Sequence, residues 1–299
     1  MPELPEVEIV RRGLEPVMNG VVLEKIEVRR RDLRQPIPAS FEKSLGGQRI
    51  VRLERRGKYI IGITASGAGF VMHLGMSGRV RIYHPDQVLK PEKHDHVLFM
   101  MQGGVRVVFN DPRRFGMIYG IREEEWQNQA PFSKMGAEPL GNGFSGAQLL
   151  ERLAGRSTPI KTCLLNQEVV AGVGNIYACE ALYDARIHPL TPAGTLDAEA
   201  SERLVRAIRA VLVRAIEAGG SSLKDYRHPD DGLGYFQHQF SVYDREGARC
   251  GDCQCDPLKT GGVRRIVQAG RSTFYCDALQ SRVPVPKAGT KTKKGKKKA

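Results

Sequence analysis

No stretch of this 299-residue sequence comes near the run of about 18 apolar residues that a membrane-spanning helix requires. The first residues, MPELPEVE, are acidic where a secretory leader is basic and then apolar, so export by that route is not expected. Cysteine is scarce, with six residues at 163, 179, 250, 253, 255 and 276. Four of them crowd the last fifty residues, and in a chain expected to work in the cytoplasm that crowding favours metal over disulfides. Cys163 and Cys179 fall within helical patterns and read as small core residues. There is no internal repeat. Residues 287–299, KAGTKTKKGKKKA, lack any acid and any apolar side chain larger than alanine. That excludes a packed core there and predicts a disordered tail.

What the chain does have is positive charge: 46 Lys and Arg against 33 Asp and Glu, a balance of +13. Seven of those charges sit in the tail, so the remainder carries +6. Such a balance favours a polyanionic partner. The tail attracts DNA, RNA or an anionic membrane surface without choosing among them, and a solubilising role fits it as well. With 41% hydrophobic and 26% charged residues, the rest has the composition of a globular protein long enough for about two domains.

The hydrophobic pattern changes along the chain. In PEVEIVRRGLEP, Val7, Val10 and Leu14 lie at helical spacing, predicting a helix that ends near Pro16. From Val21 to about Gly120 short apolar runs alternate with turn signals, as in KIEV, RIVRLERR, KYIIGIT, GFVMHLGM, RVRIY, HVLFMM and VRVVFN, and Gly103-Gly104 reads as a hairpin turn. This is a strand-rich sandwich or barrel with the N-terminal helix packed on it. Pro131, Gly136, Pro139, Gly141 and Gly143 mark a linker. Helices follow: one capped by Ser145 with Gln148, one opening at Pro159, one over NIYACEALYDARI, and the longest after Asp197, stopped by Gly219-Gly220. FSVYDREG reads as a strand, and a Cys-containing strand pair closes the ordered chain at about 241–282.

Removal of the initiator Met before a small residue exposes the secondary amine of Pro2. An α-amino group titrates near 7.7–8 against about 10.4 for lysine. Part of it is therefore an unprotonated nucleophile at neutral pH, able to form an iminium with an electrophilic carbon. Glu3 beside it is a candidate general acid–base. Read alone, the pair also fits an ordinary helix start. His94 and His96 in KHDH share a strand face, but no third metal ligand accompanies them. GVGNIY at 172–177 is not a dinucleotide fingerprint, since its third glycine is missing. Gly172 and Gly174 instead let a phosphate approach the following helix N-terminus, where Asn175 adds a donor.

The opening PELPEVEIVRRGLEP resembles the formamidopyrimidine-DNA glycosylase family, which excises oxidised purines and nicks the abasic site left behind. The resemblance continues in order through RRGKYI at 55–60, HLGMSG at 73–78, KHDHV at 93–97, DPRRFG at 111–116, VAGVGNIYACEAL at 170–182, GGSSLKDY at 219–226 and GRSTFYC at 270–276, covering nearly all of residues 1–276. It implies an α+β fold. An N-terminal β-sandwich domain with its helix (1–130) and a linker (131–144) lead to a helix-two-turn-helix DNA-binding domain (145–235). A zinc-finger-like hairpin (236–286) follows, then the tail (287–299). It implies Pro2 as nucleophile on C1′ of the damaged nucleotide and Glu3 as the proton carrier for sugar ring opening. It gives Lys58 acid–base help in strand cleavage and Arg271 the grip on the phosphate beside the lesion. Such an enzyme must flip its nucleotide out of the duplex and fill the hole. Met76, Arg113 and Phe115 match the intercalating wedge, although composition alone makes them two core residues and a surface charge. By the same resemblance His94 contacts DNA. Arg156 matches a DNA-contacting position loosely, Lys161 is a neighbouring candidate, and SSLKDYRHPDDGLGYF aligns with a lesion-capping loop.

The finger departs from the family pattern. The first CxxC is Cys250 and Cys253, and the second offers Cys276 but has Leu279 where a cysteine is expected. Cys255 is extra. One structural zinc with Cys255 as fourth ligand, zinc on three cysteines plus an outside ligand, and a metal-free hairpin all fit this spacing. The expectation is a monomeric, cytoplasmic, bacterial-type enzyme at the nucleoid that uses no redox cofactor and no membrane. Its partner is double-stranded DNA carrying an oxidised base or abasic site. The rival readings are an oxidised-pyrimidine glycosylase of the same superfamily and a noncatalytic nucleic-acid-binding protein.

Overall fold

Helix α1 (Leu4–Met18) opens with a capping box in which the Glu3 and Glu6 side chains and backbones satisfy each other, and buries Val7, Val10, Leu14 and Met18 as one stripe. It continues two residues past Pro16, where a stop was expected. Pro16 lies on the exposed face, so water can satisfy the carbonyl its missing N–H leaves free. The computed structural model describes residues 2–221, 234–254 and 256–280. Residues 222–233 of the segment aligned with a lesion-capping loop, Cys255 and the lysine tail therefore lie outside the described residues.

Eight strands follow: β1 (Val22–Val28), β2 (Gln48–Arg56), β3 (Tyr59–Thr64), β4 (Ala68–His73), β5 (Arg79–Tyr83), β6 (Asp95–Met101), β7 (Arg106–Asn110) and β8 (Met117–Arg122), with helix α2 (Ser40–Leu45) between β1 and β2. Their order is β5-β7-β6-β1-β2-β3-β4-β8, every neighbouring pair antiparallel. The β1–β2 junction holds only through Val22↔Arg49 and Leu23↔Gln48. At that narrow seam the sheet splits into two halves, and their inner faces meet, with Phe70 of β4 and Phe99 of β6 5.4 Å apart. The end strands β5 and β8 do not pair, so the strand set is a sandwich and not a closed barrel. Neither α2 nor β8 was anticipated.

The second half is helical: α3 (Gly146–Leu153), α4 (Ile160–Leu165), α5 (Asn175–Asp184) and α6 (Ala198–Glu217). The Ser145 hydroxyl accepts the Gln148 N–H and the Asp197 carboxylate accepts the Ala200 N–H, fixing the starts of α3 and α6. Leu149, Leu164, Tyr177, Leu182, Leu204 and Leu212 build its core. Leu4 belongs to this core, while Val7, one turn on, belongs to the sandwich core. The first turn of α1 thus lies on the seam between the two halves. No helix among the described residues is long and apolar enough to cross a membrane.

Short helix α7 (Pro257–Thr260) and the hairpin of β9 (Arg264–Gln268) and β10 (Arg271–Tyr275) complete the chain, with Ala269 and Gly270 turning the tip at positive φ. FSVYDREG is not the strand its composition predicted. The N–H groups of Ser241, Val242 and Tyr243 all donate to the buried Glu180 carboxylate of α5, at 2.8, 3.0 and 2.8 Å. Three consecutive donors on one carboxylate bend the backbone out of any ladder. Burial pushes the Glu180 pKa up, and the three N–H groups oppose it. Glu180→Ala should lower the unfolding free energy by about 3 kcal/mol, because it leaves three backbone donors, one of them fully buried, without their acceptor. Glu180→Gln, which keeps an acceptor, should cost clearly less, and urea unfolding of the two variants checks the order.

Candidate active site and nucleic-acid interface

Pro2 and Glu3 are both buried where α1 meets the helical half. The Glu3 carboxylate reaches across the seam to the first turn of α5, accepting the N–H of Ile176 at 3.1 Å and of Tyr177 at 3.4 Å. These are orphan donors of a helix N-terminus, where an anion is favoured. The seat exists because residue 174 has no side chain: a Cβ there would lie 2.2 Å from the Glu3 Cδ. Gly172, at φ +79°, likewise makes way for Leu4, whose N–H donates to the Gly172 carbonyl at 3.1 Å. The two glycines do admit a close neighbour, as expected, but the neighbour is this chain's own Leu4 and Glu3 instead of a phosphate.

Burial raises the Glu3 pKa, opposed chiefly by the charge of Lys58. Lys58 sits in the turn between β2 and β3 and is itself buried. Burial lowers its pKa, Glu3 pulls it back, and Arg271 lowers it further. A carboxyl held above and an amine held below its ordinary range thus interact close to Pro2, and shifts toward each other ease proton exchange between such groups. The Lys58 turn is bolted to the linker by Glu138. Its carboxylate accepts from Arg55 at 2.7 Å, Arg56 at 3.0 Å and the Gly57 N–H at 2.5 Å. Glu6 braces the other side, accepting the Glu3 N–H at 2.9 Å, the Tyr177 hydroxyl at 2.5 Å and the Ser221 N–H at 2.9 Å. Sequence reading missed both carboxylates, since only the S/T-x-x-E-like spacing of Glu3 and Glu6 hinted at either.

Arg271 is exposed just past the hairpin tip. Asn175 ties that hairpin to the helical half, its Nδ2 donating to the Ser272 carbonyl at 2.9 Å and its Oδ1 accepting from Lys161 Nζ at 2.6 Å. Lys161, the neighbouring DNA-contact candidate, is fully buried, and its ammonium orients Asn175. Arg156 is exposed beyond α3, where its Nε donates to the Arg152 carbonyl. Met76 is half-buried in the turn after β4, while Arg113 and Phe115 project from the β7–β8 turn, the guanidinium 4.8 Å from the Phe115 ring centre. Phe115 is 44% exposed, so it is not the core residue its composition allows. His94 is partly exposed, and the neighbouring His96 is buried with Nε2 donating to the Asp111 carbonyl at 2.8 Å. The pair is therefore not a shared metal face. A groove of about 1130 Å³ between α1, β5 and the end of α6, lined by Val17, Ile82, Tyr83 and Ile216, contains none of these residues.

The sulfurs of Cys250, Cys253 and Cys276 lie within 4.8 Å of one another, all buried, and Cys250 and Cys276 are 3.5 Å apart. Tetrahedral zinc with bonds of about 2.3 Å holds its sulfurs close to that spacing, so the cluster fits a metal. Leu279 packs on the cluster as an apolar neighbour.

Two family models match the chain, the formamidopyrimidine-DNA glycosylase N-terminal domain over residues 1–118 and the H2TH domain of the same enzymes over 135–227. A formamidopyrimidine-DNA glycosylase of Dinoroseobacter shibae is 52% identical over 287 residues, 94% of this chain and all of that one. One of Rhodospirillum rubrum is 49% identical over 280, with the same coverage. Among solved structures, the MutM (Fpg) protein of Thermus thermophilus superposes with a TM-score of 0.81 at 38% identity, covering 95% of this chain and all of that one. A Lactococcus lactis Fpg mutant in complex with Fapy-dG DNA superposes at 0.84 and 32%, covering 94% and 100%. Wild-type L. lactis Fpg has also been solved with DNA containing an oxidised pyrimidine (0.83, 32%, the same coverage). The chain belongs to the formamidopyrimidine-DNA glycosylase family. It is a base-excision DNA glycosylase for oxidised purines, with the abasic-site lyase activity of that family.

Gly174→Ala should drive the Glu3 carboxylate off its helix terminus and lower lesion excision by about 100-fold, the order expected for a displacement of roughly 1 Å at the reacting centre. Single-turnover excision assays, with circular dichroism to confirm the fold, check this.

Proposed function

We propose that Pro2, freed of Met1, attacks C1′ of an oxidised purine nucleotide and displaces the base as the N-glycosidic bond breaks. Ring opening gives an iminium between the Pro2 nitrogen and C1′, with Glu3 supplying the proton to the ring oxygen. The iminium acidifies the C2′ proton. Its loss expels the 3′ phosphate by β-elimination, and a further proton loss expels the 5′ phosphate by δ-elimination. Lys58 moves protons in these steps and Arg271 holds the phosphate beside the lesion. The observation that carries the reading is the pairing of a pKa-raised Glu3 with a pKa-lowered Lys58 next to Pro2. No redox cofactor enters the scheme.

The nucleotide reaches Pro2 only when flipped, at a cost of a few kcal/mol. Met76 and Phe115 then stack in the gap and Arg113 pairs with the orphaned base. His94, Arg156 and Asn175 hold the backbone, and Lys161 acts through Asn175. We read the chain as a catalytic unit (1–130), a linker (131–144), a DNA-gripping unit (145–235), a hairpin unit (236–286) and an adhesive tail (287–299), working as a monomer at the nucleoid in the cytoplasm. The cluster of Cys250, Cys253 and Cys276 would hold one structural zinc, with Cys255 as the candidate fourth ligand. Zinc there clamps the hairpin and takes no part in the chemistry.

A chain that retains an N-terminal extension ahead of Pro2 should bind an abasic duplex within about threefold of the free-amine form yet cleave none of it, since only the nucleophile is blocked. Cleavage at the normal rate would remove Pro2 from the mechanism. Parallel assays on 8-oxoguanine, formamidopyrimidine and oxidised-pyrimidine duplexes should favour the purines; the oxidised-pyrimidine complex of the L. lactis relative is the reason to include the third. Metal analysis of the reduced protein should find one zinc per chain, lost on Cys276→Ser. Zinc-free protein with full activity would favour the metal-free hairpin.

A further inference from the structure

The three wedge residues come from two turns, Met76 from HLGMSG and, 37 and 39 residues later, Arg113 and Phe115 from DPRRFG. One fully buried carboxylate joins those turns. Asp111 Oδ1 accepts the Ser77 hydroxyl at 2.6 Å and Oδ2 accepts the Gly116 N–H at 2.7 Å. The Ser77 oxygen in turn accepts the Arg113 N–H at 3.2 Å. Every residue of this relay lies within two positions of a wedge residue or is one. The Asp111 backbone anchors the assembly to the His94 segment, its N–H donating to the His94 carbonyl at 3.0 Å and its carbonyl accepting from His96.

Two further observations show the turns pressed together. Gly75, at φ +62°, sits so close that a Cβ would lie 2.4 Å from the Phe115 carbonyl carbon. Arg114, between Arg113 and Phe115, is held at φ +56°, a left-handed conformation that a non-glycine residue adopts at a cost of about 1 kcal/mol. The outer support of that residue is an exposed ion pair with Asp32 at 2.7 Å, which contributes little in water. The buried Asp111 contacts are the ones able to hold the turn against its own preference.

We propose that Asp111 is the positioning residue that fastens the two turns into one rigid body, so that Met76, Arg113 and Phe115 enter the duplex as a unit. It touches neither the substrate nor the reacting atoms. This inference rests on the wedge reading given under Proposed function. A wedge split into independently moving parts fills the gap less often, so the step that suffers is nucleotide flipping. Chemistry at Pro2 is untouched.

The test compares two substrates under single-turnover conditions, an 8-oxoguanine duplex that must be flipped and a single-stranded oligonucleotide with a preformed abasic site that leaves no partner base to orphan. Asp111→Asn and Ser77→Ala should each slow duplex excision by about tenfold or more while single-strand nicking stays within about twofold, and Ser77→Thr, which keeps the hydroxyl, should restore most of the loss. The unstacking signal of a 2-aminopurine placed beside the lesion should slow by the same factor. Equal loss on both substrates, or none on either, would overturn the proposal. Should Asp111→Asn fail to fold by circular dichroism, the Ser77 pair decides alone. Met76→Ala and Phe115→Ala run alongside. If they also leave duplex excision intact, the wedge reading itself fails. If they slow it while the Asp111 and Ser77 variants do not, only the fastening role is refuted.

Discussion

The structure depends on one contact, the Glu3 carboxylate seated on the N-terminal N–H groups of Ile176 and Tyr177. It joins the first turn of one half of the molecule to the first turn of a helix in the other. It also fixes the residue next to Pro2 and sets the charge that Lys58 feels. Glycine at 174 permits it, because any side chain there occupies the carboxylate's place. A helix terminus welcomes the anion while burial penalises it, and that tension leaves Glu3 able to hold a proton at a pH where an exposed carboxylate has lost its own.

The seam explains the rest of the arrangement. Leu4 is packed in the helical core and Val7 in the sandwich core, so α1 stitches the halves together and its N-terminus has nowhere to drift. Glu138 pins the Lys58 turn from the linker side, Glu6 pins Tyr177 and Ser221 from the helix side, and Asn175 pins the Arg271 hairpin from below. The groups of the site come from three separate places, the start of α1, the β2–β3 turn and the β9–β10 hairpin, and each is tied down by a buried or partly buried polar residue. Rigid placement of this kind is what a reacting group needs from the residues around it.

Much of this was legible in the sequence because the signals are local. The capping pair at Ser145, the glycines at 103–104 and the stripe of α6 act within one or two turns of chain, and the family motifs carried Pro2, Glu3, Lys58 and Arg271 with them. What stayed hidden is non-local. Gly174 announces that something approaches closely but not that the visitor is Glu3, 171 positions earlier. The FSVYDREG segment has strand composition, yet Glu180, about sixty residues upstream, recruits three of its N–H groups and bends it. Asp111, Glu6 and Glu138 look like surface acids until the partners they bind are folded against them.

The central claim is that the Pro2 nitrogen forms the covalent bond to the sugar, and reductive trapping addresses it most directly. The free-amine protein is mixed with 8-oxoguanine duplex and borohydride, and the cross-linked peptide is mapped by mass spectrometry. One adduct is expected, on the N-terminal peptide at Pro2. An adduct on Lys58 or any other lysine, or no adduct from a protein that still cleaves the strand, would contradict it.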